Sequence, residues 1–529
     1  MKILISDSLS EEGINILKQE KTFQVDVHTK LTPEQLLNCA GEYIALIVRS
    51  STKVTKEVIS AGKNLKYIGR AGVGVDNIDV DAATKKGIVV INTPGGNTIS
   101  TAEHTFSMML ALSRNIPQAN ISLKSGVWDR KKWMGVELQG KTIGIIGLGR
   151  IGTEVAKRAS VFGMRVLAYD PFISLDKASK MDIELVQLNT LLDKADYITV
   201  HVPLTEETKY IIGAKELSIT KKGVRIINCA RGGIIDETAL AEAIKSKQVA
   251  GAAFDVYEKE PPQKEHPFYS LENVIMTPHL GASTEEAQAA VAVEIAYLIK
   301  DALTGKGIKN AVNIPSLGIE AMKGLEPYLY LAEKIGLIQA QILTGYVSEV
   351  SIVYSGDVSL LDVGMVSRAA IKGFLTPVVG SSVNYVNAMI IAQERDLKIV
   401  ESKSTTFSDF ANLISVCVQT DKVENTVAGT LFTKKNPRIV KINQFYVDVS
   451  PSGNMLLIDN IDVPGIVGSV GSILGKNNIN IAGMTFGREK PGGKAITVLN
   501  IDSAVPDNVL EQIKNSKNIT GVKLIKLSF

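Results

Sequence analysis

Three short segments of this 529-residue chain carry the residue types that oxidation of an alcohol requires: 229–233 (CARGG), 258–262 (EKEPP) and 277–284 (TPHLGAST). Between them they offer an arginine, a carboxylate and a histidine. As a secondary alcohol becomes a ketone, its hydroxyl proton must leave with the hydride, and a histidine takes such a proton near neutral pH. His279 is therefore read as the acid/base, and Glu260 as the carboxylate that fixes its tautomer and stabilises the imidazolium. Arg231 would fork onto a substrate carboxylate and polarise the carbonyl in the reverse direction. Pro278 and Gly281 would hold the histidine at its loop. Residues 283–286 (STEE) form a capping-box pattern that starts a helix just beyond. A lone loop histidine is more often structural. This one is among only five in the chain and lies next to a nucleotide-site sequence, which favours catalysis.

That nucleotide site occupies residues 142–170. An apolar run, 143–146, reads as a strand buried on both faces. Gly147, Gly149 and Gly152 follow in G-x-G-x-x-G spacing. The first permits a tight turn, the second lets backbone approach a pyrophosphate, and the third lets a helix pack on the strand. Helical periodicity runs through Val155, Ala156, Ala159 and Phe162, which puts the phosphates at a helix N-terminus, and Gly163 closes the helix. A second strand, 165–169, leads to Asp170, placed to accept from both ribose hydroxyls and to repel a 2′-phosphate. The expected cofactor is NAD, with Arg150 the one loop residue that softens discrimination against NADP. Segments 197–203, 224–230, 251–256 and 274–279 read as further strands. Pro203, Thr208, Cys229 and Asp255 lie at or after their ends, facing a nicotinamide ribose. Cys229 sits in an apolar strand and reads as inert packing.

Upstream, residues 1 to about 95 alternate strand and helix patterns, which implies a parallel sheet with ligands at its carboxyl edge. Three strand ends there are chemically loaded: Arg49, Arg70 at the head of RAGVGVDN, and Asn97 after the TPGGN turn. Gly72, Val73 and Gly74 could form a backbone nest for an anion. A single arginine is usually a solvated charge; two at neighbouring strand ends beside a nest point to an anionic substrate. Residues 98–116 read as a helix ended by Pro117, with His104 structural. Residues 126–135 (GVWDRKKWMG) read as a loop in which Arg130, Lys131 and Lys132 are solvated. A net charge of +3 without a basic, aromatic cluster argues against nucleic acid. No apolar run reaches membrane-spanning length. The three cysteines lack metal or disulfide spacing, and residues 1–6 begin a strand at once, so no metal, no leader and a cytoplasmic location are expected.

The motifs LGRIG, CARGG, the Glu-Pro of EKEPP, and PHLGAST resemble the D-isomer-specific 2-hydroxyacid dehydrogenases over residues 1 to about 310. RAGVGVDN, NTPGGNT, WDRKKWMG and the long C-terminal extension narrow the resemblance to the long-form branch that oxidises D-3-phosphoglycerate to 3-phosphohydroxypyruvate, the first step of L-serine biosynthesis. The resemblance implies catalytic roles for Arg231, Glu260 and His279. It implies NAD contacts at Gly147, Gly149, Arg150, Ile151, Gly152, Asp170, Pro203, Thr208, Cys229, Ala230, Asp255, His279, Gly281 and Ala282. Substrate contacts are implied at Arg49, Arg70, Val73, Gly74 and Asn97. Members form homo-oligomers, here a dimer or a homotetramer, through the nucleotide domain. Their first domain is discontinuous: a helix at about 284–305 returns to it, so two chain crossings make a hinge and cleft closure is expected.

Near residues 313–317 (NIPSL) the pattern changes. Residues 318–452 mix apolar helices with strands and hold no catalytic constellation, so packing or oligomerisation is the plain reading. The segment resembles the intervening domain of the long form, associated with an anionic effector or substrate. Residues 453–529 read β-α-β-β-α-β, a ferredoxin-like pattern, and the DVPG turn followed by NINIAG resembles an ACT domain. Such domains pair between chains and bind amino acids, which implies L-serine as effector at Asn460, Asp462 and Asn480. Asn460 stands where relatives vary.

The expected architecture is α/β. A flavodoxin-like substrate domain (1–97 and 284–312) and a Rossmann NAD domain (98–283) are both doubly wound parallel sheets. An α+β intervening domain (313–452) and a ferredoxin-like ACT domain (453–529) follow. Two other functions are weighed: another D-2-hydroxyacid dehydrogenase, disfavoured by the arginines and the ACT-like tail, and an NAD-sensing corepressor, disfavoured by the retained acid/base pair.

Overall fold

The computed structural model of the chain describes residues 1–315, 319–380, 382–404, 410–433 and 435–527, with backbone alone for 319–323. The pattern change at 313–317 thus lies partly outside the described residues, as do the last two positions of the C-terminal strand pattern.

Short apolar runs build the first sheet. Lys2–Ile5, Gln24–Val27, Ala45–Val48, Tyr67–Arg70 and Val89–Asn92 are all parallel, in the order 2-1-3-4-5. Helix Glu285–Leu303 returns from far down the chain to cover one face, where Ile295 and Ile299 join Ile3 and Ile5 in one core. Gly13 makes that approach possible: a Cβ there would stand 2.6 Å from Ala292 O. The chain then bridges Ala311 to Ile91. Asn313 clamps the sheet edge, accepting from Val90 N at 3.0 Å and donating to Ile88 O at 2.8 Å.

The second sheet has seven parallel strands. Thr142–Ile146 lies third from one edge. Arg165–Tyr169 and Glu184–Leu185 extend one way; Tyr197–Val200, Val224–Asn228, Val249–Phe254 and Val274–Met276 extend the other. Ile143 and Ile145 pack on one face, and Ile146, Ile198 and Ile226 on the other, which is why these strands are apolar throughout rather than alternating. Strand order reverses beside Thr142–Ile146, and a ligand crevice belongs at that switch point.

A third, six-stranded sheet is antiparallel except where Lys398–Ser404 runs parallel to Val347–Gly356. Helices Ile319–Ile342 and Gly364–Val379 pack together against it. The fourth sheet is antiparallel, in the order Ile481–Arg488, Lys494–Ile501, Asn454–Ile461, Ile519–Lys526, under helices Ile466–Lys476 and Asp507–Lys514. This is the ferredoxin-like order that the β-α-β-β-α-β pattern predicts. Among the described residues no helix is long and apolar enough to cross a membrane, and no group of three or more His, Cys, Asp or Glu could hold a metal ion.

Two local expectations need correction. The helix after His279 starts at Glu285, capped by Thr284, whose Oγ1 accepts from Ala287 N at 3.1 Å. Ser283 instead closes a turn onto Leu280 O, so the STEE capping box does not form. The helix expected to reach 116 stops at Arg114, because Asn115 turns left-handed at φ +52°. Pro117 sits in the first turn of the next helix, Ile116–Lys124, where its missing N–H costs nothing.

Candidate active site

Strand Thr142–Ile146 delivers the chain to Gly147, whose φ of +94° suits glycine. A Cβ there would meet Val202 Cγ1 at 2.7 Å. Gly152, in the first turn of helix Arg150–Val161, lies directly against Gly147 O, so turn and helix touch only because that residue is glycine. At Gly149 a Cβ would meet nothing within 4 Å: this side of the loop is open, as a pyrophosphate at the helix N-terminus requires. Asp170 is anchored beside the loop, its Oδ2 accepting from Leu148 N at 2.8 Å and its Oδ1 from Phe172 N at 2.9 Å. A ribose diol suits that carboxylate and a 2′-phosphate does not, so these residues fit NAD. Arg150 is exposed at the helix start; burial raises the carboxyl of Glu294 on the returning helix, and the Asn310 bond and the charge of Arg150 only partly oppose that.

The other expected cofactor residues are placed less directly. Thr208 spends its hydroxyl on Pro203 O at 2.6 Å, and Ala230 N donates to Asn228 Oδ1 at 3.0 Å. Ile151 and Ala282 are half-buried. Cys229 is buried, which pushes its thiol up and leaves it inert. Sequence reasoning passed over His201, at the end of the next strand. Its Nε2 lies 3.0 Å from Thr199 Oγ1, and its Nδ1 is buried without a partner. Burial pushes this imidazole down to about 4 from 6.5. Above pH 6.5 the ring is neutral folded or unfolded. As pH falls from 6.5 towards 4, only the unfolded chain takes the proton, so stability declines by up to roughly 3 kcal/mol. Thermal melts across that window should show the slope, and His201→Gln should flatten it; a variant that keeps the parental slope would contradict this.

His279 stands on a left-handed backbone, φ +56°, with its N–H donating to Asp255 O at 2.9 Å. Its Nδ1 lies 2.7 Å from Glu260 Oε2. A carboxylate only accepts, so Nδ1 carries the proton and Nε2 is left for a substrate. Glu260 Oε1 accepts from Tyr257 N at 3.1 Å, which fixes the carboxylate before it meets the ring. The two side chains are 47% and 38% exposed, so the pair opens to solvent. Beneath them Asp255 is wholly buried. It takes Thr277 Oγ1 at 2.6 Å, Leu280 N at 2.7 Å and Gly281 N at 2.8 Å, with His104 Nε2 at 3.2 Å. Burial by itself would raise this carboxyl; the bonds from His104, Thr277 and Leu280 outweigh it and hold the group below the ordinary carboxylate range. Asp255 thus braces the loop that carries His279, and His104 braces Asp255.

The arginine's loop is pressed onto the glutamate's loop, with Gly232 seated directly on the Tyr257–Glu258 peptide. Arg231 then reaches the edge of the first sheet. Its Nε donates to Asp76 Oδ2 at 3.0 Å, and its Nη2 fills the space a side chain on Gly74 would need. Arg70 likewise lies over Gly72. The glycines of RAGVGVDN are therefore glycines because two guanidiniums occupy their side. Gly72 N donates to Arg70 O at 2.9 Å, so the expected three-amide nest is reduced to Val73 and Gly74 at most. Arg49 Nη1 donates to Ser8 O at 3.2 Å. Burial and the positive charges of Arg231 and Arg49 push Arg70 down to about 10, and its Nε is buried without a partner. Nearby Asp7 is turned to the backbone N–H of Arg49 and Thr52, at 2.6 and 3.1 Å. Three cations so gathered, one of them largely desolvated, call for an anion between them. Asn97 Oδ1, also buried without a partner, lies at the start of helix Thr98–Arg114.

The three expected effector residues lie in the fourth sheet and its turns. Asp462 pairs with Arg488 at 3.0 Å, and Asn480 Nδ2 donates to Asp502 Oδ2 at 2.6 Å. Asn460 is buried with its amide spent inside the domain, accepting from Thr497 Oγ1 at 2.9 Å and donating to Ile461 O at 3.0 Å.

Residues 106–281 match the family model of the D-isomer specific 2-hydroxyacid dehydrogenase NAD binding domain. Residues 324–443 match that of the D-3-phosphoglycerate dehydrogenase intervening domain, and 454–518 that of the ACT domain. The D-3-phosphoglycerate dehydrogenase of Methanocaldococcus jannaschii is 48% identical over 528 residues, covering 100% of both chains. That of Bacillus subtilis is 45% identical over 530 residues, 99% of each. Among solved structures, a D-lactate dehydrogenase from Aquifex aeolicus, complexed with NAD and lactic acid, matches 60% of this chain and 100% of its own at 30% identity and a TM-score of 0.53.

Proposed function

The chain belongs to the D-3-phosphoglycerate dehydrogenase family, and from that premise we propose a role for each group in the crevice. The protein is an NAD-dependent oxidoreductase that converts D-3-phosphoglycerate to 3-phosphohydroxypyruvate, the first step of L-serine biosynthesis. The observation that best supports the site is the cluster of Arg49, Arg70 and Arg231, joined through Gly232 to the loop of the Glu260–His279 pair. A substrate with a carboxylate at one end and a phosphate at the other would neutralise it.

Arg231 forks onto the carboxylate next to the reacting carbon. Arg49 and Arg70, with the amides of Val73 and Gly74, take the phosphate, and Asn97 lines the same edge. NAD, when bound, supplies the hydride acceptor. His279 Nε2 removes the hydroxyl proton as the hydride leaves, and Glu260 stabilises the imidazolium that forms. In reverse, His279 returns the proton while Arg231 polarises the ketone. Steady-state NADH production should be strong with D-3-phosphoglycerate and weak with D-glycerate or D-lactate. Equal turnover of the unphosphorylated acids would overturn the substrate assignment, and NAD binding without any turnover would favour a sensor.

The four sheets support a division at 97/98, 283/284, 312/313 and 452/453, with the crevice closing about the two crossings between the first and second units. Exposed Ile121, Leu123, Trp128 and Met134 on the NAD unit support a homo-oligomer through that face. Three unpaired thiols support a reducing, cytoplasmic setting. L-serine is the effector, bound where fourth sheets pair between chains, with Asp462 and Asn480 as surface ligands and Asn460 behind them. Asp462→Ala should keep turnover within about twofold and raise the serine concentration for half-inhibition about tenfold, as expected for loss of a charged ligand contact. Inhibition curves on the two proteins test this, and a variant inhibited like the parent would refute the site.

A further inference from the structure

Glu260, the carboxylate that orients His279, sits on the loop between strand Val249–Phe254 and the short turn Pro267–Ser270. Nothing in the reaction uses the group that holds both ends of this loop. Glu237, the first residue of helix Glu237–Lys245, is buried, although a carboxylate at a helix start is normally solvated. Its Oε1 accepts from Glu258 N at 2.8 Å. Its Oε2 meets His266 Nε2 at 2.7 Å, with both side chains under a tenth exposed. One carboxylate therefore ties position 258 to position 266, and Glu260 lies between them. His266 is itself boxed edge-on by Phe268, Tyr257 and Tyr269, at ring separations of 4.9, 5.6 and 5.8 Å.

Tyr257 extends the connection. Its N–H donates to Glu260 Oε1, and its hydroxyl reaches Thr277 O at 2.9 Å, two residues before His279. The carboxylate of Glu260 and the strand end that carries His279 thus share one residue, Tyr257, whose side chain packs on His266. Burying a carboxylate and an imidazole costs several kcal/mol unless they are paired and hydrogen-bonded, as they are here. Burial pushes the Glu237 carboxyl up, and its bonds to His266 and Glu258 N oppose that shift.

We infer that Glu237 and His266 are positioning residues for the reaction: a buried clamp that sets the Glu260 loop so that Glu260 meets His279 Nδ1 in line. The inference rests on Glu260 and His279 acting as proposed above. Loss of the clamp leaves cofactor and substrate contacts in place and lets the orienting carboxylate wander by an ångström or so, which costs turnover rather than binding.

The test is a double-mutant cycle in the full-length chain. Glu237→Gln keeps an acceptor for Glu258 N and loses the charge facing His266. It should lower kcat about tenfold or more, with KM for both substrates within about twofold, and shift the acidic limb of the kcat–pH profile. On a Glu260→Ala background, where there is no orienting side chain left to position, the same change should cost less than about twofold. Should Glu237→Gln fail to fold by circular dichroism, His266→Gln carries the identical cycle. Equal losses on both backgrounds, or an unchanged kcat and pH profile, would overturn the clamp. A His279→Ala protein that keeps its turnover would instead overturn the acid/base reading beneath it, so the two failures are distinguishable.

Discussion

His279→Ala lowers kcat for D-3-phosphoglycerate oxidation by about 10²–10⁴-fold, the usual worth of a positioned general base, while NAD affinity stays within about threefold. The two quantities separate because different parts of the crevice set them. On the proposed reading NAD is held chiefly by the Gly147 turn, the helix start at Arg150 and the anchored Asp170, away from the imidazole, whose own contact with the cofactor is a minor part of the affinity. The histidine contributes one free ring nitrogen, made available because Glu260 engages the other at 2.7 Å. Glu260→Gln is the matched control. It keeps the shape and loses the charge that stabilises the imidazolium, so it should lower kcat by less than the alanine change at His279. The loop around 279 is expected to survive either change, because the buried Asp255 holds it through Leu280 N and Gly281 N rather than through the imidazole. NADH appearance and fluorescence titration with NAD make the measurement. Turnover within tenfold of the parent for His279→Ala would remove the proposed base.

What the sequence made legible follows from the range of the interactions involved. The G-x-G-x-x-G turn is local: three glycines and a strand end dictate one geometry, and Asp170 arrives by counting. The parallel sheets were legible for the same reason, since strands buried on both faces must be apolar throughout. Residues whose meaning depends on distant partners were not. His104 reads as a helix-face histidine until Asp255 is found beside it, 151 positions away. Glu237 and His266 carry no sequence signal, because their pairing is visible only once a helix start and a loop end are brought together in the fold. Asn460 shows how burial is missed. Matching it to an effector position said nothing of its parity with Leu456 and Ile458, which lie under the helices of the fourth sheet and turn its side chain toward Thr497 and Ile461 O. At STEE a cap was expected at Ser283 and lies one residue later, at Thr284, where Ala287 cannot close a box, because a turn onto Leu280 O claimed Ser283 first.

Arg231→Ala should lower kcat/KM for D-3-phosphoglycerate by about 10²–10³-fold, the 2–5 kcal/mol that truncating one partner of a hydrogen-bonded charge pair removes. Arg231→Lys should recover only part of this, because an ammonium supplies the charge without the fork. The loss should be the same with D-glycerate as substrate, since the carboxylate is common to both acids. Arg49→Ala, on the phosphate side, should penalise D-3-phosphoglycerate and leave D-glycerate almost untouched. Stability runs the other way. Arg70 is pushed down to about 10, first by burial and then by its cationic neighbours, so removing Arg231 relieves repulsion on Arg70 and offsets the loss of the exposed Arg231–Asp76 pair at 3.0 Å. A melting temperature equal to or above the parental value, alongside the kinetic loss, is the expected signature for Arg231→Ala. A melting temperature that drops with kcat/KM would mean that Arg231 chiefly holds Asp76 and the first sheet's edge, and a loss confined to the phosphorylated substrate would move Arg231 from the carboxylate to the phosphate.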